Sequence, residues 1–253
     1  MKASEGRVAI VTGAARPWGL GRAAALGLAG KGCDIVVADV RDDWGEEAAK
    51  AIEDSTGQRA IYVNTDVSQR DSVTAMVGRV TAEFGRIDAL VNVAGVLIVE
   101  RIDDIQEDSF SRLVNINLWG TILTCQAVLP QMRNQGGGRI VNTAAAGALR
   151  PVKGLGAYAA TKGGVITFSK VLATEVARDN VIVVVVSPGP INTAMGSDNP
   201  PEHTGEARAS LGMVHDRMLS PEDVAEDIVF AATEAGMTLT GQTLQSNGGF
   251  LMV

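Results

Sequence analysis

The chain has 253 residues, of which 46% are hydrophobic and 20% are charged, and its 22 Lys and Arg against 29 Asp and Glu give a net charge of −7. This apolar fraction excludes a disordered chain, and the acidic balance argues against broad binding to nucleic-acid phosphates, which needs clustered Lys and Arg. No apolar run reaches the roughly 18 residues of a membrane span, and the first residues carry no cleavage signature. We therefore expect a globular, cytoplasmic protein with no nucleic-acid and no membrane partner.

Short apolar, β-branched segments alternate with longer segments of helical periodicity along the whole chain. The predicted strands are residues 8–11, 34–38, 60–63, 89–92, 140–142, 181–186 and 243–245. The predicted helices are residues 19–30, 42–54, 69–84, 106–132, 156–178 and 221–235. Fully apolar strands separated by helices predict a parallel sheet with helices on both faces, which is a doubly wound α/β fold when the crossovers are right-handed.

No linker and no internal repeat divides the chain, so we expect a single domain over residues 1–253. Residues 193–218 form the one long irregular segment, which predicts a substrate lid. Cys33 and Cys125 stand singly in apolar surroundings, which is typical of buried, reduced thiols. Metal-ligand spacing is absent from the sequence, so we expect no metal.

The first predicted strand leads into a glycine-rich turn that opens a helix. Gly13 follows the strand, and Gly19 and Gly21 begin the Ala-rich helix. Amide donors, the positive end of the helix dipole and a backbone without side chains make such a turn a pyrophosphate site. The spacing Gly-x5-Gly-x-Gly is not the strict dinucleotide fingerprint, so a glycine-rich connection without a ligand is the alternative.

Asp39 stands at the end of the second predicted strand, 18 residues beyond Gly21. A carboxylate there can accept hydrogen bonds from an adenosine ribose and would repel a 2′-phosphate, which favours NAD over NADP. The alternative is that Asp39 caps a turn. Arg16 and Arg41 are nearby cations that weaken the preference for NAD.

Motifs further along the chain lie in a characteristic order on the predicted elements. With the glycine turn, they are Thr12-Gly13…Gly19-Leu20-Gly21, Asp66-Val67, Asp88-Ala89-Leu90-Val91-Asn92-Val93-Ala94-Gly95, Asn117-Leu118-Trp119-Gly120, Tyr158-Ala159-Ala160-Thr161-Lys162, Ser187-Pro188-Gly189-Pro190-Ile191-Asn192-Thr193, Gly241-Gln242 and Gly248-Gly249. Over its whole length the chain resembles the short-chain dehydrogenase/reductase family.

The resemblance implies a Rossmann-like fold, a small alcohol or carbonyl substrate, and catalysis by Tyr158, Lys162 and Asn117. Lys162 would also bind the nicotinamide ribose, and Asn117 would hold a water that links Lys162 to solvent. Helices such as residues 106–132 and 156–178 would build a homotetramer or homodimer. The implied nicotinamide-cofactor residues are Gly13, Gly19, Leu20, Gly21, Asp39, Asp66, Val67, Asn92, Ala94, Gly95, Tyr158, Lys162, Pro188, Gly189, Ile191 and Thr193.

Tyr158 and Lys162 are four residues apart, so they share one helical face. A close ammonium would lower the pKa of the phenol, and such a phenol can exchange a proton with an alcohol while hydride leaves the same carbon. The alternative is an ordinary polar stripe on a helix. For Asn117 the alternative is a helical Asn that bonds its own backbone.

Three positions depart from the family pattern. Arg16-Pro17-Trp18 lengthen the glycine turn by two residues, and Trp18 would pack either over the cofactor or on the surface. Val93 replaces the second Asn of the family's NNAG motif. Ala145 stands where the family has a catalytic Ser at the substrate, 13 residues before Tyr158.

The change at Ala145 leaves three explanations open: an engineered variant, a natural enzyme with another hydrogen-bond donor, or a cofactor-binding protein without turnover. Thr143 is the nearest upstream hydroxyl and would share a face with position 145 only if the strand extends that far. The sequence favours an NAD-dependent oxidoreductase that interconverts a secondary alcohol and a ketone or aldehyde. An NADP-dependent carbonyl reductase and a catalytically impaired NAD-binding protein are the alternatives.

Overall fold

The computed structural model describes residues 6–193, 195, 214 and 218–252 of the chain. In this part of the chain, seven strands form one sheet in the order β3-β2-β1-β4-β5-β6-β7, and all six strand pairs are parallel. The strands are β1 Val8–Thr12, β2 Asp34–Asp39, β3 Ala60–Asn64, β4 Ala89–Asn92, β5 Gly138–Thr143, β6 Val181–Val186 and β7 Thr243–Leu244. The predicted doubly wound parallel fold is confirmed.

In the described part of the chain, seven α-helices cover the two faces of the sheet, and alternate strand residues determine which face each side chain joins. Ala9 and Val11 of β1 pack with α1, α2 and α7, whereas Val8 and Ile10 pack with α3, α5 and α6. Both faces are therefore packed mainly by apolar side chains, so the strand ends are the main place for polar chemistry. The helices are α1 Leu20–Gly30, α2 Asp42–Thr56, α3 Arg70–Phe84, α4 Glu107–Leu113, α5 Gly120–Asn134, α6 Gly156–Val176 and α7 Pro221–Thr233.

The helix predicted over residues 106–132 has an irregularity that the sequence pattern did not predict. It divides into α4, a π-helical turn at Val114–Trp119 and α5. Such a turn widens the helix locally and is frequent at functional sites. Asn117 lies within it and is fully buried.

Two other predictions concern the cysteines and the lid, and only the first can be compared with the structure. Cys33 and Cys125 are both buried and neither forms a disulfide, as predicted. Most of the predicted lid, residues 193–218, lies outside the described residues, so the lid and the single-domain boundary stay predictions.

In the described part of the chain, one helical stretch, Glu107–Asn134, is apolar and long enough to cross a membrane. In its α5 part, Leu123, Val128 and Met132 pack into the core against the sheet. Core helices of soluble proteins pass the same length and hydropathy test, so this helix is a weak indication of a membrane span. The expected absence of a membrane partner stays a prediction.

The close packing of α1 on the glycine turn gives a first testable prediction. A Cβ atom at Gly21 would overlap the Gly13 carbonyl oxygen and lie 2.9 Å from Ala14 Cα. We expect Gly21→Ala to lower the free energy of unfolding by about 2 kcal/mol or more, because backbone atoms cannot move aside as a flexible side chain can. Urea denaturation measures the change.

Gly78 in α3 is the matched control, because a Cβ there meets no atom within 4 Å. Gly78→Ala should raise the free energy of unfolding by about 0.5–1 kcal/mol, since it restricts the unfolded chain and favours the helix. Equal effects of the two substitutions would contradict the packing argument.

Candidate active site

The glycine turn connects β1 to α1 at the carboxyl edge of the sheet. Gly13 has a φ of +69°, and a Cβ there would lie 2.8 Å from the Ala94 backbone nitrogen. Gly19 precedes α1 in an extended conformation, and no side chain caps the helix. Leu20 and Gly21 form the first turn of α1, so the N-terminus of the helix faces the turn with its amide groups and positive dipole end.

Asp39 ends β2 beside this turn, and its carboxylate fastens the local backbone. Oδ2 accepts a hydrogen bond from Ala15 N at 3.0 Å, and Oδ1 accepts from Val40 N at 2.8 Å and Arg41 N at 3.2 Å. Asp39 thus caps a turn, as the alternative interpretation proposed. Because an ionised carboxylate offers about four acceptor sites, this use leaves room for a ribose hydroxyl.

The additional residues of the glycine turn pack against α2. The Arg41 guanidinium lies 4.0 Å and that of Arg16 5.2 Å from the centroid of the Trp44 ring. The Trp18 ring meets Trp44 edge-on, with 5.6 Å between the centroids. Trp18 therefore belongs to an Arg–Trp cluster, and Trp44 was missed because nothing in the sequence links α2 to the turn.

Arg22 is a second residue that sequence reasoning missed. Its side chain is buried, its Nη2 donates to the Ala15 carbonyl at 3.0 Å, and it forms an ion pair with Glu47. Arg22 thereby ties α1 and α2 to the glycine turn. Its position within a run of Gly and Ala in the first turn of α1 was the available signal.

The Thr12 hydroxyl holds the loop after β4, and the Asp66 carboxylate holds the loop after β3. Thr12 Oγ1 accepts hydrogen bonds from Val93 N at 3.1 Å and Ala94 N at 3.2 Å, which brings the loop carrying Gly95 beside the glycine turn. Asp66 Oδ1 accepts from Ser68 N at 2.9 Å and from Ser68 Oγ at 2.7 Å.

Val67, next to Asp66, is buried, and a Cβ atom at Gly120 would lie 2.8 Å from its Cγ2. Gly120 thus permits the close approach of α5 to the loop after β3. The predicted contacts of Asp66 and Val67 with an adenine stay predictions.

Asn92, predicted to bind the cofactor, turns its side chain into the protein interior. Its Nδ2 donates to Asn142 Oδ1 at 2.9 Å, and its Oδ1 accepts from Thr124 Oγ1 at 2.8 Å. Asn142 in turn donates to Ser169 Oγ at 2.9 Å. This fully buried network joins β4 and β5 to α5 and α6, so the observed role of the Asn92 side chain is to position these elements.

The segment after β6 runs close to the end of the sheet. The Pro188 carbonyl accepts from Ala146 N at 2.7 Å, and Gly189 N donates to the Ser246 carbonyl at 3.2 Å. Ile191 forms a bridge with Leu219, and Thr193 N donates to the Ile191 carbonyl at 3.0 Å. The predicted cofactor contacts of this segment stay predictions.

Asn117 is held by the π-helical turn against the loop after β4. Its Oδ1 accepts from Val96 N at 2.8 Å, and its Nδ2 donates to the Val96 carbonyl at 2.9 Å and to Thr161 Oγ1 at 3.3 Å. Asn117 therefore bonds other elements rather than its own helix. It is the link between the turn, the β4 loop and α6.

Lys162 lies on α6 beside the same loop and is almost completely buried. Its Nζ donates to the Thr143 carbonyl at 2.9 Å. A Cβ at Gly95 would lie 3.5 Å from Lys162 Nζ and 3.1 Å from Asn117 Oδ1, so Gly95 leaves space between these two groups. Burial disfavours the charged ammonium and lowers the pKa of Lys162 to about 8.

Tyr158 is also buried, and burial raises the pKa of its hydroxyl to about 12. We expected the opposite direction, from a close ammonium. That expectation is wrong for this structure, because Lys162 Nζ is directed to the Thr143 carbonyl and lies 6.0 Å from the Tyr158 ring centroid. Desolvation of the phenol therefore dominates its pKa.

Ala145 packs in the apolar cluster that surrounds Tyr158, so a methyl group stands where the family has a hydroxyl. Strand β5 ends at Thr143, so its alternation does not continue to position 145. The Thr143 hydroxyl is buried and has no hydrogen-bond partner among the described residues.

Within the described ranges, no three or more His, Cys, Asp or Glu side chains converge on a point that could hold a metal. The expected absence of a metal stays a prediction.

The buried Lys162 predicts a pH dependence of stability. Below pH 8 the lysine is charged in both states, and the native state carries the full cost of burying it. The native state releases the proton near pH 8 and the unfolded state near 10.5, so folding becomes more stable by about 3 kcal/mol as the pH rises between these values.

Lys162→Met should flatten that rise, as measured by urea denaturation from pH 7 to 10. Lys170→Met, an exposed position on the same helix, is the control and should leave the slope unchanged. Equal slopes for the wild type and Lys162→Met would show that Lys162 does not titrate in this window.

The chain is similar to known proteins over most of its length. The family model described as short chain dehydrogenase matches residues 7–203. D-threitol dehydrogenase of Mycolicibacterium smegmatis is 37% identical over 246 residues, which cover 97% of this chain and 93% of that protein. NAD-dependent glycerol dehydrogenase of Listeria innocua is 31% identical over 244 residues, covering 96% and 93% respectively.

A solved structure, L-sorbose reductase from Gluconobacter frateurii complexed with NADPH and L-sorbose, superposes with a TM-score of 0.91. It is 30% identical, and the match covers 100% of both chains. The chain therefore belongs to the short-chain dehydrogenase/reductase family and is an NAD(P)-dependent oxidoreductase that acts on CH–OH groups.

Proposed function

We propose that this oxidoreductase uses NAD to interconvert a secondary alcohol and a ketone or aldehyde, with Tyr158 as the acid and base. The proposal rests on one observation: the side chains of Asn117 and Lys162 both approach Gly95. Tyr158 lies beside Lys162. The loop that carries Gly95 is hydrogen-bonded to Thr12, at the start of the glycine turn. The residues proposed for proton transfer and those proposed for the dinucleotide thus lie at the same edge of the sheet.

The residues present fit a dinucleotide. Gly13 and Gly21 have no space for a side chain, so their backbone atoms line the turn, and α1 directs an uncapped N-terminus toward it. Gly13, Gly19, Leu20 and Gly21 would hold the pyrophosphate. The nicotinamide, when bound, supplies the acceptor or donor of hydride. Asp39 would bind the adenosine ribose. The residues that would contact the adenine or the nicotinamide end are Asp66, Val67, Asn92, Ala94, Gly95, Pro188, Gly189, Ile191 and Thr193.

Tyr158 would move the proton of the reaction. In the oxidation direction its oxygen takes the hydroxyl proton of the alcohol while the carbinol carbon loses hydride, and in reduction its hydroxyl protonates the developing alkoxide. The pKa of about 12 favours the protonated phenol at neutral pH. Reduction therefore begins from the protonation state that the structure stabilises.

Lys162 and Asn117 would support this proton transfer. An ammonium with a pKa of about 8 changes charge near physiological pH, so Lys162 can pass a proton as well as stabilise a phenolate. For this, its Nζ would have to turn from the Thr143 carbonyl toward the phenol or a ribose hydroxyl by rotation of the side chain. Asn117, fixed by Val96 on both amide atoms, keeps the surrounding loop in place.

Ala145 removes one hydrogen-bond donor from the substrate pocket. Loss of an oxyanion donor lowers turnover by about 10²–10³ and leaves cofactor binding intact. We propose that the chain is either an engineered variant or an enzyme whose substrate or another group supplies this donor. An NAD-binding protein without turnover is the second candidate, because the Tyr158 pocket offers a methyl group at this position.

NAD is proposed over NADP because Asp39 brings a negative charge to the ribose position. Arg16 and Arg41, the cations able to bind a 2′-phosphate, lie against Trp44. The relatives include one named as NAD-dependent and a structural neighbour complexed with NADPH, so an NADP-dependent carbonyl reductase is the competing assignment.

We also propose a cytoplasmic homotetramer or homodimer. Phe110 on α4, Trp119 in the π-helical turn and Val171 on α6 expose 44%, 38% and 52% of their surface, and these elements are the ones that resemble the family's interface helices. Size-exclusion chromatography with light scattering gives the assembly directly.

The donor hypothesis predicts a gain of function. Ala145→Ser should raise NADH formation at pH 9 by about a hundredfold or more with secondary alcohols and polyols, because the new hydroxyl donates to the substrate oxygen. Ala144→Ser is the matched control: Ala144 packs on the other side, against Ile166 and Val185, so its hydroxyl should not raise turnover. If neither chain turns over while NAD still binds, the non-catalytic candidate is favoured.

The cofactor assignment predicts tighter binding of NAD than of NADP by the unmutated chain. Asp39→Asn keeps the side-chain shape but removes the charge, so it should lower the ratio of NAD to NADP affinity about tenfold. Asp54→Asn, an exposed carboxylate paired with Lys50 in the last turn of α2, is the control and should change the ratio little. Tighter NADP binding by the unmutated chain would overturn the assignment.

A further inference from the structure

A cavity of about 240 Å³ opens at the amino ends of the strands, at the opposite edge of the sheet from Tyr158. We call it the basal cavity and define it by Arg7, Arg86, Asp88 and Arg139. Arg7 precedes β1, Arg86 and Asp88 precede β4, and Arg139 lies at the start of β5. Parallel strands begin at one edge, so residues distant in sequence converge there.

Asp88 is already satisfied by its neighbours. Arg86 donates to it through Nε at 2.7 Å and through Nη2 at 2.6 Å, and Val8 N donates to it at 2.8 Å. This two-point pair is a strong arrangement, because the guanidinium matches the planar carboxylate. Asp88 is the one acidic side chain among the described residues that line the cavity.

Arg7 and Arg139 have no ion-pair partner among the described residues. Arg7 Nη1 donates to the Thr233 carbonyl at 3.5 Å and Arg139 Nε donates to the Ala235 carbonyl at 3.3 Å, both longer than ordinary hydrogen bonds. The pKa of Arg139 is lowered by burial and then by the positive charge of Arg7, while Asp88 opposes the shift. Two guanidinium groups therefore repel each other inside one concave site.

Among the described residues that line the basal cavity, three guanidinium charges against one carboxylate leave two excess positive charges, in a chain whose net charge is −7. Cys33, Ile182 and Ala232 also line the cavity. The cavity is large enough for a phosphate group with an attached small molecule. Arginine is well suited to phosphate, since two parallel N–H groups meet two phosphate oxygens.

We propose that the basal cavity binds a phosphate dianion, free or as the phosphate group of a small metabolite, through Arg7 and Arg139. The bound anion relieves the repulsion between the two arginines and stabilises the amino edge of the sheet. This site shares no residue with the proposed cofactor and substrate sites, so the inference is independent of the proposed function.

The test is calorimetric titration of the full-length protein with inorganic phosphate, at constant ionic strength set by chloride. Excess NAD keeps the glycine turn from contributing. We expect Arg7→Gln and Arg139→Gln each to raise the dissociation constant for phosphate at least about tenfold, because each removes a charged donor. Arg139→Lys, which keeps the charge but loses the planar fork, should have an intermediate effect.

Arg101→Gln is the control, since Arg101 is an exposed arginine paired with Asp103 on another surface. It should bind phosphate as the wild type does. Thermal unfolding in chloride alone shows whether each variant folds, and Arg139→Gln should unfold at the same or a higher temperature because a repulsion is removed. Unchanged phosphate affinity in the folded Arg7 and Arg139 variants would mean an adventitious ion only and would overturn the proposal.

The same titration with glycerol 3-phosphate distinguishes the two sources of the dianion. Tighter binding than inorganic phosphate supports a metabolite, and weaker binding supports the free ion. With either result, the Arg7 and Arg139 substitutions should abolish the difference in affinity between glycerol 3-phosphate and inorganic phosphate.

Discussion

Chemistry in this protein depends on one constraint: parallel strands end at a common edge, and both faces of the sheet are covered by helices. Most polar groups that a ligand could reach therefore lie at the strand ends. At the carboxyl edge, Thr12 Oγ1 accepts the amides of Val93 and Ala94 and so joins the end of β1 to the loop after β4. The glycine turn, Gly95 and the α6 residues Tyr158 and Lys162 are positioned around this junction.

Burial controls the protonation of Tyr158 and Lys162, the pair proposed to transfer the proton. The phenol and the ammonium are each shifted toward their neutral forms, with pKa values of about 12 for Tyr158 and about 8 for Lys162. In this arrangement the pocket favours a proton donor at Tyr158 and a lysine that can give up its charge. A ligand that brings Lys162 Nζ toward the phenol would reverse the first shift, because a near positive charge favours the phenolate.

Much of the fold was predictable from the sequence, and so was the proximity of several proposed site residues, because both depend on local patterns. The apolar segment 181–186, for example, forms a strand with the predicted bounds. Tyr158 and Lys162 share a helical face because they are four residues apart on one helix. The spacing of motifs could not reveal the direction of side chains. Lys162 bonds the Thr143 carbonyl, and Asn92 joins an internal network, because tertiary packing decides these contacts.

Contacts between segments that are distant in the sequence could not be predicted either. Trp44 meets Trp18 and Arg16 across 26 and 28 residues, and the π-helical turn that carries Asn117 has no distinctive composition. Arg7 and Arg139 come together only because β1 and β5 begin at the same edge of the sheet. Such contacts follow from the order of the strands in the sheet. The sequence indicates the class of topology but does not show which side chains come into contact.

The most direct measurement of the central claim is label transfer from a secondary alcohol or polyol carrying deuterium on its carbinol carbon. Wild-type protein and Tyr158→Phe are incubated with NAD and the labelled alcohol, and the nicotinamide product is analysed by mass spectrometry. The account predicts deuterium in the NADH formed by the wild type and at least about a hundredfold less in Tyr158→Phe. NAD binding without any label transfer by the wild type or by Ala145→Ser, or equal transfer by Tyr158→Phe, would contradict it.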